Sequence, residues 1–365
     1  MDWKGLVQRT LYSRWKPAGL PSDGYSIIMP MPEDMPFLLR LALEGLRHVG
    51  TDHCGQVIVV GDGWGSDRGE ALRKVAGEFS DSRIEMAFFS RLDRAVVRRM
   101  PSPHWLTVIY GINRARHDYA FLHDSDAFFL ERDCMERTYA YCRERSMYAI
   151  GVTARWDPFF EQIGYQIPGT WQMIFSALWL RTHKPWKVHG RQVATPHGPN
   201  IFDTLLYPQY LDYGTGRIGV MPDPPKYVHF NGTIVTYRTW RRAGGKPVVD
   251  ELFRLLLLSL LEHVIPPADG KRLLPPVDEL SHGLTDATCP IRYDTLDCAR
   301  NYGEFRDQVK ELCGSPIFAG ERAHVIESLL RPFDEHFAKV THELGDQLGG
   351  PVRKFRRSGL AGSEV

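Results

Sequence analysis

The sequence predicts an α/β protein: a mostly parallel sheet flanked by helices, with a helical C-terminal extension. Three observations predict it. From Gly24 onward, short apolar runs of strand length alternate with segments of helical periodicity. Three of the early runs end in turns rich in Pro, Gly or Asp, near Pro30, Asp62 and Asp124. The composition is that of a folded chain with a sizeable core, 43% hydrophobic over 365 residues, enough for one large domain or two smaller ones.

The first element is polar and basic. Lys4, Arg9, Arg14 and Lys16 alternate with Trp3, Leu6, Leu11 and Trp15. Residues 1–20 read as an amphipathic arm packed on the protein, with peripheral contact to an anionic membrane as the alternative. No secretory pattern is present in Met1 to Pro17. Tyr25 to Met29 reads as a buried strand, closed by Pro30-Met31-Pro32, and Phe37 to Val49 has helical periodicity. Gln56 to Val60 is the next strand, ending in the glycine-rich turn Gly61-Asp62-Gly63-Trp64-Gly65-Ser66-Asp67. Arg68 to Phe79 reads as a helix, Ile84 to Phe89 as a third strand and Leu106 to Arg116 as a helix. The alternation implies parallel βαβ units, and such sheets bind ligands at the carboxyl ends of their strands. All three turns lie at such ends.

Tyr119 to His123 climbs to two carboxylates, Asp124 and Asp126, before the chain turns apolar again. Acids at the end of a buried strand are costly unless compensated. A divalent cation compensates them, and Asp supplies the hard oxygen ligands that Mg²⁺ and Mn²⁺ prefer. The bland alternative is a turn whose aspartates cap the next segment.

Glu131 to Arg145 then reads as a helix and Tyr148 to Thr153 as a strand. Residues 155–247 are rich in aromatics, Pro and Gly, as in loops around a site. Residues 249–265 and 320–347 read as helices, and Pro266, Pro267, Pro275 and Pro276 mark an extended connection between them. The run Leu255 to Leu261 is far short of the roughly 20 residues of a bilayer span. The tail, with Arg353, Lys354, Arg356 and Arg357, is expected to be mobile.

Three segments now stand in order: Ser26-Ile27-Ile28-Met29-Pro30-Met31-Pro32-Glu33, Val59 to Asp67, and His123-Asp124-Ser125-Asp126. They resemble the opening strand and loop, the acidic glycine turn and the D-x-D signature of GT-A glycosyltransferases of the family-two-like kind. Met31-Pro32 replaces the family's Tyr-Asn pair, and Val59 to Asp67 has one acid replaced and one residue inserted. The resemblance covers roughly residues 24–130. It implies the GT-A fold and a nucleotide-sugar donor, a UDP-sugar foremost. It implies a base and ribose site at Pro30, Met31, Glu33 and Asp62, with Asp124 and Ser125. It also implies Mn²⁺ or Mg²⁺ at Asp124 and Asp126. The expected organisation is the arm 1–20, a catalytic domain 21–248 (nucleotide part 24–130, acceptor part 131–248), a helical extension 249–347 and a basic tail 348–365.

The resemblance extends to a late histidine. His229-Phe230-Asn231-Gly232 ends a strand-like run and looks like the H-x-x-G that completes the metal shell in some GT-A families. The alternative is a histidine satisfied within the fold. Arg238, Arg241, Arg242 and Lys246 follow, as a segment that closes over a diphosphate or as a solvated basic loop. Asp203 is the candidate general base of an inverting transfer, read as lying in the first turn of a helix, with Asp157 as runner-up. The other reading of Asp203 is a helix N-terminal acid favoured by the dipole. Trp171 is a candidate to stack on a sugar or to pack in the core, and Trp64 to cover the nucleobase or to pack.

The competing functions are a nucleotidyltransferase on a related sheet and a non-catalytic carbohydrate-binding protein. The first lacks its usual basic glycine loop after Met29, and the intact Asp124/Asp126 pair speaks against the second. The expected partners are the nucleotide-sugar donor and a carbohydrate or other hydroxyl-bearing acceptor. With 45 basic against 44 acidic side chains, nucleic acid is not expected as a partner. Six cysteines without a C-x-x-C pair suggest reduced thiols rather than a zinc ribbon. The expected location is the cytoplasm, with the inner membrane face as the alternative.

Overall fold

Tyr25, Ile27, Met29 and Met31 pack into one core and Ile28 into another. This is the period-two alternation of a strand covered on both faces. That strand is β1 (Ser22–Met31), in a computed structural model that describes residues 3–347 apart from 18, 20, 66, 68, 100–103, 156, 190–192, 246–251, 268–269, 283 and 285–295. Its parallel neighbours are β2 (Cys54–Gly61) and β4 (His117–His123). The strand β3 (Ile84–Ala87) extends the parallel part beyond β2. On the far side of β4, β7 (Gln172–Ser176) runs antiparallel to both β4 and β6 (Ala149–Gly151). The edge strand β10 (Ile218–Val220) pairs parallel with β6. Among the described residues the sheet order is β10-β6-β7-β4-β1-β2-β3. Two short antiparallel pairs stand outside it: β5 (Ala127–Phe129) with β11 (Tyr227–His229), and β8 (Val193–Thr195) with β9 (Gly198–Asn200).

Helices cover both faces, as the sequence predicts. The core around Met29 is closed by α2 (Pro36–His48), α3 (Glu70–Gly77) and α6 (Cys134–Glu144). Pro36 starts α2 with its φ already helical, and Arg47 and His48 complement the dipole at its end. The core around Ile28 is closed by α5 (His104–Ile112) and α8 (Ala177–Thr182). Between β3 and α5 runs α4 (Arg91–Val97), capped by Ser90 Oγ, which accepts from Asp93 N at 3.1 Å.

The N-terminal helix α1 (Trp3–Leu11) is tied to the body of the protein. Gln8 Nε2 donates to Trp186 O and His189 O, both at 3.2 Å, and Trp15 Nε1 donates to His183 O at 2.7 Å. Side chains before Leu6 lie outside the described residues, as do Lys246 and the basic tail. No described helix is long and apolar enough to cross a membrane.

The chain divides into two compact units, residues 1–229 and 230–365. The second holds helices α10 (Thr233–Arg242), α11 (Leu252–Val264), α12 (Val277–His282), α13 (Leu296–Cys313) and α14 (Glu321–Gln347). Where an extended connection was expected after Pro266, α12 and α13 form. Cys298, Tyr302, Phe305, Val309 and Leu312 recur at three- and four-residue spacing and bury one face of α13.

One expected helix start moves. Asp203 is not in a first helical turn, because α9 (Leu206–Asp212) begins three residues later. Thr204 bridges His189, and Leu205 N donates to Val188 O at 2.6 Å. Leu205 also has φ +63, so residues 203–205 are held in a non-helical path.

Candidate functional site

The D-x-D segment lies where β4 leaves the sheet. Asp124 follows the strand directly, and Asp126 precedes β5. The register of β5 with β11 sets Ala127 opposite His229 and brings that imidazole to the two acids. His229 Nε2 lies 3.4 Å from Asp126 Oδ1 and 4.0 Å from Asp124 Oδ2. One ligand atom from each of the three residues falls within 4.8 Å of the others. Asp126 is buried, at 6% exposure, so its charge has little water around it.

Neighbouring groups fix the three. Asp124 N donates to Trp171 O at 3.1 Å. Asp124 Oδ1 pairs with His104 Nε2 at 3.1 Å. Trp171 stacks on His229, with ring centres 5.3 Å apart and planes 6° from parallel, and its Nε1 donates to Tyr227 Oη at 2.5 Å. The Trp171 face that meets His229 therefore supports an imidazole.

Burial on its own lowers both imidazoles, and the carboxylates outweigh it. Asp126 and then Asp124 hold His229 above its ordinary value, with Arg155 opposing them. Asp124 raises His104, helped by Asp203 and Asp126. Asp203 therefore belongs to the same electrostatic neighbourhood as the Asp124 cluster. Its side chain is about half exposed, its Oδ1 accepts from Thr204 N at 2.6 Å, and His189 Nδ1 stands 4.0 Å away.

The glycine turn after β2 is built around two acids. Asp62 Oδ1 accepts from Glu33 N at 3.3 Å and Trp64 N at 3.1 Å. Glu33 is fully buried and holds Arg94 bidentately, at 2.7 and 2.9 Å, while also accepting from Gly63 N at 3.2 Å. Arg94 reaches on to Gly63 O and Gly65 O. A Cβ at Gly61 would lie 2.6 Å from Glu33 Oε1, so the close approach requires glycine. Burial raises the Glu33 carboxyl, and Arg94 pulls against that rise.

No protein-family model matches the chain, and no curated protein matches it. Solved structures do. A mannosyltransferase from Pyrobaculum calidifontis, PcManGT, in complex with GDP-Man and Mn²⁺, is similar over 95% of each chain at 14% identity and a TM-score of 0.41. S. aureus TarS 1–349 is similar over 90% of this chain and 93% of its own, at 12% identity and a TM-score of 0.38. The galactosyltransferase LgtC, in complex with donor and acceptor sugar analogues, matches 45% of this chain at 16% identity and a TM-score of 0.35. The match spans 62% of the LgtC chain.

The other expected residues divide by environment. Pro30 and Met31 end β1. The Met31 side chain belongs to the core, and its backbone carbonyl accepts from Asp62 N. The strand's alternation is the reason, since position 31 shares its face with positions 25, 27 and 29. Ser125 is buried between the two aspartates, and Trp64 packs against the core around Ile28. Asp157 caps α7 (Pro158–Ile163), its Oδ1 accepting from Phe159 N at 2.9 Å. Arg238, Arg241 and Arg242 lie on α10 in the second unit. His104, Arg94 and Arg155 were not read from the sequence. His104 and Arg94 meet their partners 20 and 61 residues away, and Arg155 meets Trp171 16 residues away, so no local spacing announces them.

Proposed function

We propose that this protein is a metal-dependent glycosyltransferase that moves a sugar from a nucleotide-diphosphate donor, a UDP-sugar foremost, to an acceptor hydroxyl. The observation that carries the reading is the convergence of Asp124, Asp126 and His229 at the carboxyl end of the central sheet. Two carboxylates and an imidazole suit a divalent cation, and the imidazole favours Mn²⁺ over Mg²⁺. The raised His229 supports the fit, because it reflects an excess of negative charge. When bound, the cation would offset the charge that develops on the departing diphosphate.

The chain's own residues supply the rest. His104 orients Asp124, and the Trp171 stack orients His229. The Asp62 turn, braced by Glu33 and Arg94, offers backbone groups to the nucleoside. Asp203 is the base of a single displacement with inversion. Its Oδ1 is occupied by Thr204 N, which leaves Oδ2 to take the acceptor proton.

Calorimetry with UDP and GDP, with and without Mn²⁺, tests the reading. Metal-dependent nucleotide binding that Asp126→Ala abolishes, with the circular dichroism spectrum unchanged, is the expected result. Equal metal-dependent affinity in wild type and variant would remove the proposed centre.

A further inference from the structure

Arg155 stands four residues beyond the end of β6. Its guanidinium carbon lies 6.0 Å from the centre of the Trp171 ring, the ring that stacks on His229. Trp171 thus adjoins both this cation and the candidate metal centre, and the Arg155 charge reaches His229. The backbone here is fixed: Arg155 N donates to Ile167 O at 2.7 Å, and Ala154 bridges Pro168.

Among the described residues this side chain has no matching anion. Arg155 Nε is buried without an acceptor, and among the described residues no carboxylate pairs with this guanidinium. Several other arginines of the first unit pair with carboxylates: Arg94 with Glu33, Arg83 with Asp81, Arg137 with Glu131. A buried donor left unpaired in a native fold calls for a partner. The planar guanidinium fork fits carboxylate or phosphate oxygens in pairs.

The sheet order indicates which anion. The centre stands at the end of β4. The Asp62 turn, which serves the nucleoside in the proposed function, closes β2 on one side of β4. Arg155 follows β6 on the other side, beyond β7. A donor lying from the β2 turn to the metal centre points its nucleotide away from Arg155, and the reacting partner fills the remaining side. Charge agrees with this division. Asp124 and Asp126 offset a divalent cation, and Arg155, on the side away from the Asp62 turn, is a positive charge available to an anion there.

We propose that Arg155 binds an oxyanion of the acceptor, a phosphate or a carboxylate, so that the enzyme acts on acidic acceptors. This rests on the glycosyltransferase reading above.

Full-length protein saturated with Mn²⁺ and UDP (or GDP, if it binds more tightly) is titrated with glycerol phosphate and glucuronate, and with neutral glycerol and glucose. The acidic compounds are expected to bind at least about tenfold more tightly than the neutral ones. Arg155→Gln is expected to erase that preference, and Arg155→Lys to restore part of it. Mn²⁺ and UDP affinities should stay within about twofold of wild type, which a collapse of the Trp171 stack would not allow. A fall in UDP affinity in Arg155→Gln would assign the guanidinium to the donor diphosphate and overturn the proposal. So would an Arg155-dependent preference for UDP-glucuronate over UDP-glucose, which would assign it to the transferred sugar. Wild-type indifference to the acidic compounds, with nucleotide still bound, refutes the Arg155 inference alone. Failure of wild type to bind either nucleotide with Mn²⁺ refutes the glycosyltransferase reading, and this inference with it.

Discussion

Replacing Arg94 with Met separates a buried carboxylate from its counter-charge. Glu33 is fully buried and Arg94 is 12% exposed, and two bonds at 2.7 and 2.9 Å join them. Breaking such a pair by removing one partner costs about 3–5 kcal/mol. The slight exposure of Arg94, and the bond Glu33 keeps from Gly63 N, place the expected loss at the lower end, about 3 kcal/mol. The sign with pH follows from Glu33. Burial already raises its carboxyl, and without Arg94 it rises further. A carboxyl raised in the folded state favours folding below its ordinary value, about 4.3, and loses that advantage as pH climbs through the raised value. The deficit of Arg94→Met should therefore be largest at neutral pH and shrink towards about pH 4. Urea denaturation followed by tryptophan fluorescence measures it. The nine tryptophans include only one, Trp240, beyond residue 229, so the signal reports the first unit. The double variant Glu33→Met/Arg94→Met should be more stable than Arg94→Met. A deficit below about 1 kcal/mol, or one unchanged between pH 5 and pH 8, would show that Glu33 is solvated and refute the reasoning.

Asp203→Asn should lower turnover by about 10² to 10⁴ while leaving donor affinity unchanged, and product NMR should show the anomeric configuration inverted. Retained configuration would exclude the single displacement. His229→Ala should weaken Mn²⁺ binding more than Mg²⁺ binding, measured by competition titration, and unchanged affinity for both ions would make His229 a packing residue. Gly69→Ala forces an alanine into φ +84 and drives its Cβ into the Phe88 ring, at a cost of about 1–3 kcal/mol in chemical denaturation. An unchanged midpoint would mean that Phe88 gives way.

The parallel part of the fold was legible because β1, β2 and β4 are apolar runs buried on both faces, bounded by turn residues. The strand β7 was not. Met173-Ile174-Phe175 is just as apolar, but it follows an aromatic, glycine-containing segment that reads as loop. The prolines after Ile265 hid α13, because punctuation outweighed a periodicity that begins 30 residues later. At the site, the two aspartates stood out through their contrast with the apolar strand. Their assembly with His229 depends on the β5–β11 register, a long-range pairing that no local pattern encodes. The same holds for the His104 bond to Asp124 and for the bridge from Thr204 to His189 that stops α9 from starting earlier.

The pairing of β5 with β11 also bears on the order of assembly. His229 is the final residue of the first unit, about a hundred positions beyond Asp126. A nascent chain halted before Tyr227 would carry both aspartates but not the third candidate ligand. A cation seated there would act as a clasp across that long loop, resisting its opening by RT ln(1 + [L]/Kd). Chelation would then loosen the β5–β11 ribbon first, and amide exchange at Tyr227 and Val228 would quicken before exchange in β1 or β2.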